Sequence, residues 1–239
     1  MISIIFALLY YVATAILLVG VGARVRKYMR TPVPLKVPTM PAPRTQSGVF
    51  WRMTREVTLF ESLFKSNKWI WLFGWMFHAA LALVVLRHFR YFIEPVWGWI
   101  AIMQPFGIYA GFALVLGLAG LWARRIVVER IRYISSPSDH LMLALIIAIG
   151  VTGLLMRFVT KVDIIGVKAF FMGLLRLRIL ELPSSPVLLL HLGLVAILMI
   201  IFPISKLMHG PGVFFSPARN QADDSREKRH VGVVRRGGA

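Results

Sequence analysis

The chain contains no cysteine. Without thiolates it can hold no iron–sulfur cluster, no disulfide and no CxxCH-attached haem. Any redox metal must be ligated by histidine or methionine, and any iron–sulfur chemistry belongs to another subunit. Acidic residues are also scarce: 10 Asp and Glu stand against 28 Lys and Arg in 239 residues. None of the ten lies in the middle of a long apolar run. That argues against a proton pump or an ion-coupled transporter, which usually needs an intramembrane carboxylate.

What is abundant is apolar surface. Hydrophobic residues make up 58% of the chain, and the mean hydropathy is +0.72, too apolar for a soluble domain of this length. The formal charge of +18 would suggest nucleic acid in a soluble protein. Here it reads as loop charge that orients membrane helices, with no nucleic-acid partner. The expected fold is an all-α integral membrane bundle of five transmembrane helices. The spans fall at 2–23, 69–88, 105–123, 140–158 and 186–205, each close to the roughly 20 residues that a hydrocarbon core requires.

Nothing basic precedes the first span, while Arg24, Arg26, Lys27 and Arg30 follow it. It therefore reads as a membrane span with the N-terminus outside, not as a signal peptide. Alternation then puts 24–68, 124–139 and 206–239 in the cytoplasm and 89–104 and 159–185 outside. That distribution leaves 21 of the 28 basic residues on the cytoplasmic side, as expected of a multi-pass protein of the cell inner (cytoplasmic) membrane. The reading divides the chain into a membrane domain, 1–210, and a cytoplasmic C-terminal tail, 211–239, largely disordered after 220. Residues 31–45 are proline-rich and read as extended. Residues 47–68 read as an interfacial helix. The apolar but charge-dotted stretch 161–180 reads as a helix lying on the outer surface. SSPSD and SSP are helix-start signals before spans four and five, with Pro186 in a first turn.

The chemistry sits in six histidines. His230 is in the tail, and His140 reads as an interfacial polar residue. The other four form a pattern: His78 and His88 lie ten residues apart on span two, His191 and His209 eighteen apart on span five. The two spans run in opposite directions, so equal depths pair His88 with His191 and His78 with His209. On continuous helices the separations would be about 15 Å and about 27 Å. Eighteen residues is five full turns, which would put His191 and His209 on one face. Two facing imidazoles are what bis-histidine ligation of a haem b iron needs. Four such residues predict two non-covalent haems, an outer one on His88 and His191 and an inner one on His78 and His209. Gly74, Ala79, Ala80, Ala82, Gly193 and Ala196 could make room for a flat macrocycle. Arg87 and Arg157 outside, and Arg124 and Arg125 inside, are candidates to pair with haem propionates.

Five spans with histidine pairs spaced by 10 and 18 resemble the gamma subunit of respiratory nitrate reductase, a dihaem cytochrome b that oxidises quinol. The ending PISKLMHGPGVFFSPARNQ is closer to one branch, the M subunit of the dissimilatory sulfite-reduction-associated membrane complex (DsrMKJOP). That resemblance implies quinone as exchangeable substrate and a cytoplasmic iron–sulfur partner resembling heterodisulfide reductase. It also implies further membrane and periplasmic subunits, and a place in dissimilatory sulfur metabolism. Oxidoreductase activity would then belong to the complex. Two other readings stay open: a true nitrate reductase gamma subunit, and a cofactor-free membrane anchor for a cytoplasmic enzyme.

Overall fold

The computed structural model describes residues 1–32, 37–216 and 218–224. Among these residues there are helices and connecting turns and no strands. Five helices are long and apolar enough to cross a membrane. They are α1 (Ile2–Arg30), α4 (Lys68–His88), α5 (Gly98–Val127), α7 (Pro137–Leu155) and α9 (Pro186–Ile201). Shorter helices connect them: α2 (Gln46–Leu59), α3 (Glu61–Ser66), α6 (Glu129–Ile134), α8 (Ile164–Leu175) and α10 (His209–Gly212). Many large apolar side chains face outward; Val19 is 72% and Leu18 67% exposed. That is the arrangement of a chain whose solvent is hydrocarbon.

The helix starts follow from local chemistry. Asn67 Oδ1 accepts from Ile70 N at 3.0 Å and opens α4. Ser136 and Asp139 form a reciprocal capping box at the start of α7, with Pro137 in the first turn. Pro186 occupies the same first-turn position in α9. The third span begins earlier than its proline suggested: α5 starts at Gly98 and carries Pro105 inside it. Neighbouring helices make such a proline tolerable in a membrane helix.

The long helices pack in the order α4–α5–α7–α9–α1. α4 and α5 approach most closely through glycine. A Cβ on Gly117 would stand 2.9 Å from the Phe73 carbonyl oxygen, and one on Gly107 would stand 2.8 Å from Arg87 Cβ. Small residues at such a seam let membrane helices reach van der Waals contact. Ala80 packs into this seam with Ala110, Leu114 and Leu118, and Gly74 faces Leu63 of α3 at 3.8 Å. Ala79 and Ala80 also line an apolar cleft of about 540 Å³ between α4 and α5.

The stretch read as a surface helix over 161–180 forms α8, which is shorter and partly core. Val167, Phe170, Phe171 and Leu174 pack with Ala7 and Tyr10 of α1 and with Leu188 and Leu192 of α9. Its start is capped by Asp163, which accepts from Ile165 N and Gly166 N. At the opposite end, the interfacial segment is broken into α2 and α3 by Phe60, which adopts a left-handed conformation at φ 53°, unusual for a bulky residue. Trp71 and Trp75 of α4 donate their indole N–H groups to the carbonyls of Leu59 and Thr58. The last carbonyls of α2 are thereby satisfied by α4.

The fifth span contradicts one expectation. His191 and His209 do not lie on one continuous helix. α9 ends at Ile201, a 3₁₀ turn carries Pro203, Ser205 is extended, and a second turn leads into α10. Proline removes a helical N–H, and Ser205 Oγ accepts from Leu207 N at 3.2 Å to start the next turn. The five-turn argument for a shared face therefore fails. α1 packs on the break: a Cβ on Gly20 would meet Pro203 Cβ at 2.6 Å.

After the break the chain returns over the α2–α3 end. Arg219 Nη1 reaches Glu56 at 3.3 Å, Tyr28 and Phe215 rings are 5.9 Å apart, and Asp223 N donates to Pro43 O at 2.9 Å. Ala222 and Asp224 are buried. The rest of the tail, with His230, lies outside the described residues.

Candidate functional site

The structure brings the four singled-out histidines together as two pairs. His78 and His209 face each other with ring centroids 6.0 Å apart and planes at 84°. His88 and His191 lie within electrostatic reach of one another. The levels are set by α4, where ten residues separate His78 from His88 by about 15 Å. The first pair sits toward the α2–α3 end and the second toward α8. α4 and α9 share no packed seam; the intervening arc is filled by α5 and α7. The imidazoles thus meet across a parting between helices.

Each ring is oriented in the same chemical sense. His78 Nδ1 is 2.7 Å from Gly74 O, His88 Nδ1 is 2.6 Å from Val84 O, and His209 Nδ1 is 2.8 Å from Lys206 O. A carbonyl can only accept, so each Nδ1 carries the proton. His191 Nδ1 is 2.9 Å from Thr152 Oγ1, whose hydroxyl has Ala148 O at 2.8 Å as its own acceptor. All four therefore present an unprotonated Nε2, and no Nε2 has a hydrogen-bond partner among the described residues. This is the tautomer a metal-ligating histidine adopts. His140 is the contrast. Its Nδ1 accepts from Trp122 Nε1 at 3.0 Å, so its neutral ring carries the proton on Nε2. Its ring is held by this contact between α5 and α7.

The spacing can be tested against haem. Two imidazole nitrogens each about 2 Å from one metal hold their ring centroids about 6 Å apart. The His78–His209 separation meets that figure. A bis-imidazole haem needs two ligands per iron; larger groupings are not required, and no cluster of three or more His, Cys, Asp or Glu occurs among the described residues. Gly193, two residues after His191, has no neighbouring atom within 4 Å of where its Cβ would be. A cleft of about 410 Å³ opens beside His209, lined by Tyr28, Lys206, Met208, Gly212 and Phe215 among others. The His78–His209 pair thus fits the ligand spacing of one bis-imidazole haem.

The arginines divide. Arg87 lies within electrostatic reach of Arg90 and Arg157, and none of the three has a carboxylate within salt-bridge distance among the described residues. Gln104 ties this group to α5. It accepts from Arg90 Nη1 at 3.2 Å and donates to the Arg87 and Ile100 carbonyls. At the other end Arg125 donates to Ser135 Oγ at 3.0 Å and approaches Asp139 at 3.8 Å. Among the described residues Arg124 has no such engagement. Sequence reasoning missed Asp139, Thr152 and Phe60. Asp139, 6% exposed, takes Lys206 Nζ at 2.5 Å, and Lys206 is the residue whose carbonyl orients His209. Phe60 stands edge-on to His78 at 5.0 Å. Only Asp139 had a sequence signal, its place in the capping box.

These features define a class: a multi-pass membrane bundle that holds two histidine pairs at two depths. The chain belongs to the nitrate reductase gamma subunit family, whose model matches residues 46–222. It is also 35% identical to a protein of Archaeoglobus fulgidus named Hdr-like menaquinol oxidoreductase cytochrome b-like subunit. That alignment covers 97% of this chain and 83% of the relative. A protein of the same name from Archaeoglobus profundus is likewise 35% identical, over 95% of this chain and 81% of its own length.

Proposed function

We propose that this protein is the membrane cytochrome b subunit of a quinol-oxidising complex. His88 and His191 would hold an outer haem b, His78 and His209 an inner one. The observation that carries this reading is the shared orientation of the four imidazoles, each anchored at Nδ1 and open at Nε2. A haem held on both faces would exchange single electrons and leave no position for oxygen. The chain's own part is to fix the ligand tautomers, separate the two levels along α4, and supply positive charge for propionates. Arg87 and Arg157 would do so outside, and Arg124, with Arg125 behind it, inside.

The positive-inside bias supports an N-terminus outside and the α2–α3 end facing the cytoplasm, in the inner membrane. The names of the two Archaeoglobus relatives support menaquinol as the quinone and an assembly of the heterodisulfide-reductase kind. Lacking cysteine, this chain would pass electrons to a cytoplasmic iron–sulfur partner. That partner would dock on the surface made by α2, α3, α6 and 206–219, and the complex would serve dissimilatory sulfur metabolism.

The test is haem content and its response to quinol. Two extractable haems b per chain are expected. His88→Ala or His191→Ala should remove one haem and block reduction of the other by a quinol analogue. His78→Ala or His209→Ala should remove one haem and leave the remaining one reducible. A stoichiometry of one, or identical behaviour of the two mutant classes, overturns the reading.

A further inference from the structure

Three of the four histidines take their orientation from a carbonyl of their own segment: Gly74 and Val84 four residues earlier on α4, and Lys206 three residues before His209. His191 differs. Its Nδ1 is turned to a different helix, α7, which contributes no histidine to either pair: the Thr152 hydroxyl lies at 2.9 Å and the Ile149 backbone is within hydrogen-bonding reach. The contact is buried, with Thr152 6% and His191 8% exposed. Thr152 is itself fixed, because its hydroxyl donates back to the α7 carbonyls of Ala148 at 2.8 Å or Ile149 at 3.0 Å. The next residue, Gly153, keeps α7 close to the ring: a Cβ there would lie 3.4 Å from His191 Cε1.

We propose that Thr152 is a positioning residue for the outer haem. It would hold His191 in the Nδ1–H tautomer, aim its Nε2, and tune that haem's potential through the strength of one hydrogen bond. This rests on the haem assignment above. A hydrogen bond accepted from Nδ1–H makes the imidazole a stronger donor to the metal, and removing such outer partners commonly weakens metal affinity about 10- to 100-fold. A better donor favours the ferric over the ferrous state. Loss of the hydroxyl should therefore raise the potential of the outer haem and loosen it, while the inner haem, whose ligands make no contact with Thr152, serves as an internal standard.

The experiment uses the full chain, purified with its haems, as T152V, T152S and wild type. Haem per chain, a spectroelectrochemical titration and low-spin EPR spectra are recorded. In T152V, one of the two haems should show a higher midpoint potential, a changed EPR signature and weaker retention against an apo-haem acceptor. The other haem should be unchanged, and T152S should restore wild-type values. Two unchanged haems in T152V overturn the proposal. So does T152S behaving as T152V, which would assign the effect to the methyl group. If T152V does not accumulate, T152A carries the same expectation, and loss of both haems in both variants overturns it by marking Thr152 as a packing residue. Absence of haem from the wild type would instead fail the haem assignment itself, so the two failures are distinguishable.

Discussion

Replacing Asp139 by asparagine tests how the far end of the fifth span is held. The Asp139 carboxylate is 6% exposed. One oxygen takes Lys206 Nζ at 2.5 Å, and the other takes Ser136 N at 3.1 Å and Ser136 Oγ at 3.0 Å. Asparagine keeps the shape and an oxygen for the cap but loses the charge facing Lys206. A hydrogen bond to a charged group contributes about 1.5–3 kcal/mol. Lys206 is 74% exposed and can turn to water, which discounts this to about 1–2 kcal/mol. Asp139→Ala also removes the cap, adding about 1 kcal/mol. For a chain of this size 1 kcal/mol shifts Tm by about 2–4 °C. D139N should therefore melt a few degrees below wild type in detergent, and D139A lower still. Because Lys206 O orients His209, both variants should also lose inner haem before outer haem on titration with an apo-haem acceptor. A double-mutant cycle with Lys206→Met isolates the pair, with an expected coupling of about 1 kcal/mol. Zero coupling, together with unchanged retention of both haems, would refute the claim that α7 anchors the His209 segment.

Other outcomes follow from the same geometry. Gly117→Val should destabilise the α4–α5 seam by about 1–3 kcal/mol, since its Cβ would meet the Phe73 carbonyl at 2.9 Å. Gly22→Ala, with nothing within 4 Å, should be neutral or slightly stabilising in the same melt. Truncation after residue 224 should leave partner co-purification intact, whereas truncation before Phe214 should abolish it; equal recovery would exclude docking on the 206–219 segment. Lys65, and after it Arg55, hold the Glu61 carboxyl below the usual carboxylate range. Their support of α3 is therefore present above that range and fades as pH falls through the lowered pKa. K65A should move the Glu61 titration, followed by NMR, back upward. A reporter fused after residue 239 should be active only if it works in the cytoplasm.

The five spans were legible because each is a long apolar run, although the start of the third was placed seven residues late, at 105 against Gly98. Pro137 and Pro186 announce helices through local chemistry that needs no tertiary partner. The nearness of His78 to His209 and of His88 to His191 was legible from depth. The helix break at Pro203 was not foreseen. One proline in an apolar run does not disclose whether the helix bends or stops, and the answer lay in Ser205 Oγ capping a new turn and Gly20 admitting the proline ring. Thr152 and Asp139 were not legible as site residues. Their relation to His191 and to Lys206 spans 39 and 67 residues, and no local pattern encodes it. α8 was misjudged in length and setting because its charges, read as solvent-facing, flank a short face that packs on Tyr10 and Leu188.

The break at Ser205 changes what the eighteen-residue interval between His191 and His209 means. On an unbroken helix that number would be a phase: one inserted residue would swing the second ligand by about 100° and lift it by a rise. Here each imidazole is located by its own external fastening, Thr152 for His191 and the Asp139–Lys206 pair for His209. Lys206 belongs to the break itself and Pro203 is seated against Gly20, so a change of length within 202–206 acts on His209, while the Thr152 contact of His191 lies outside it.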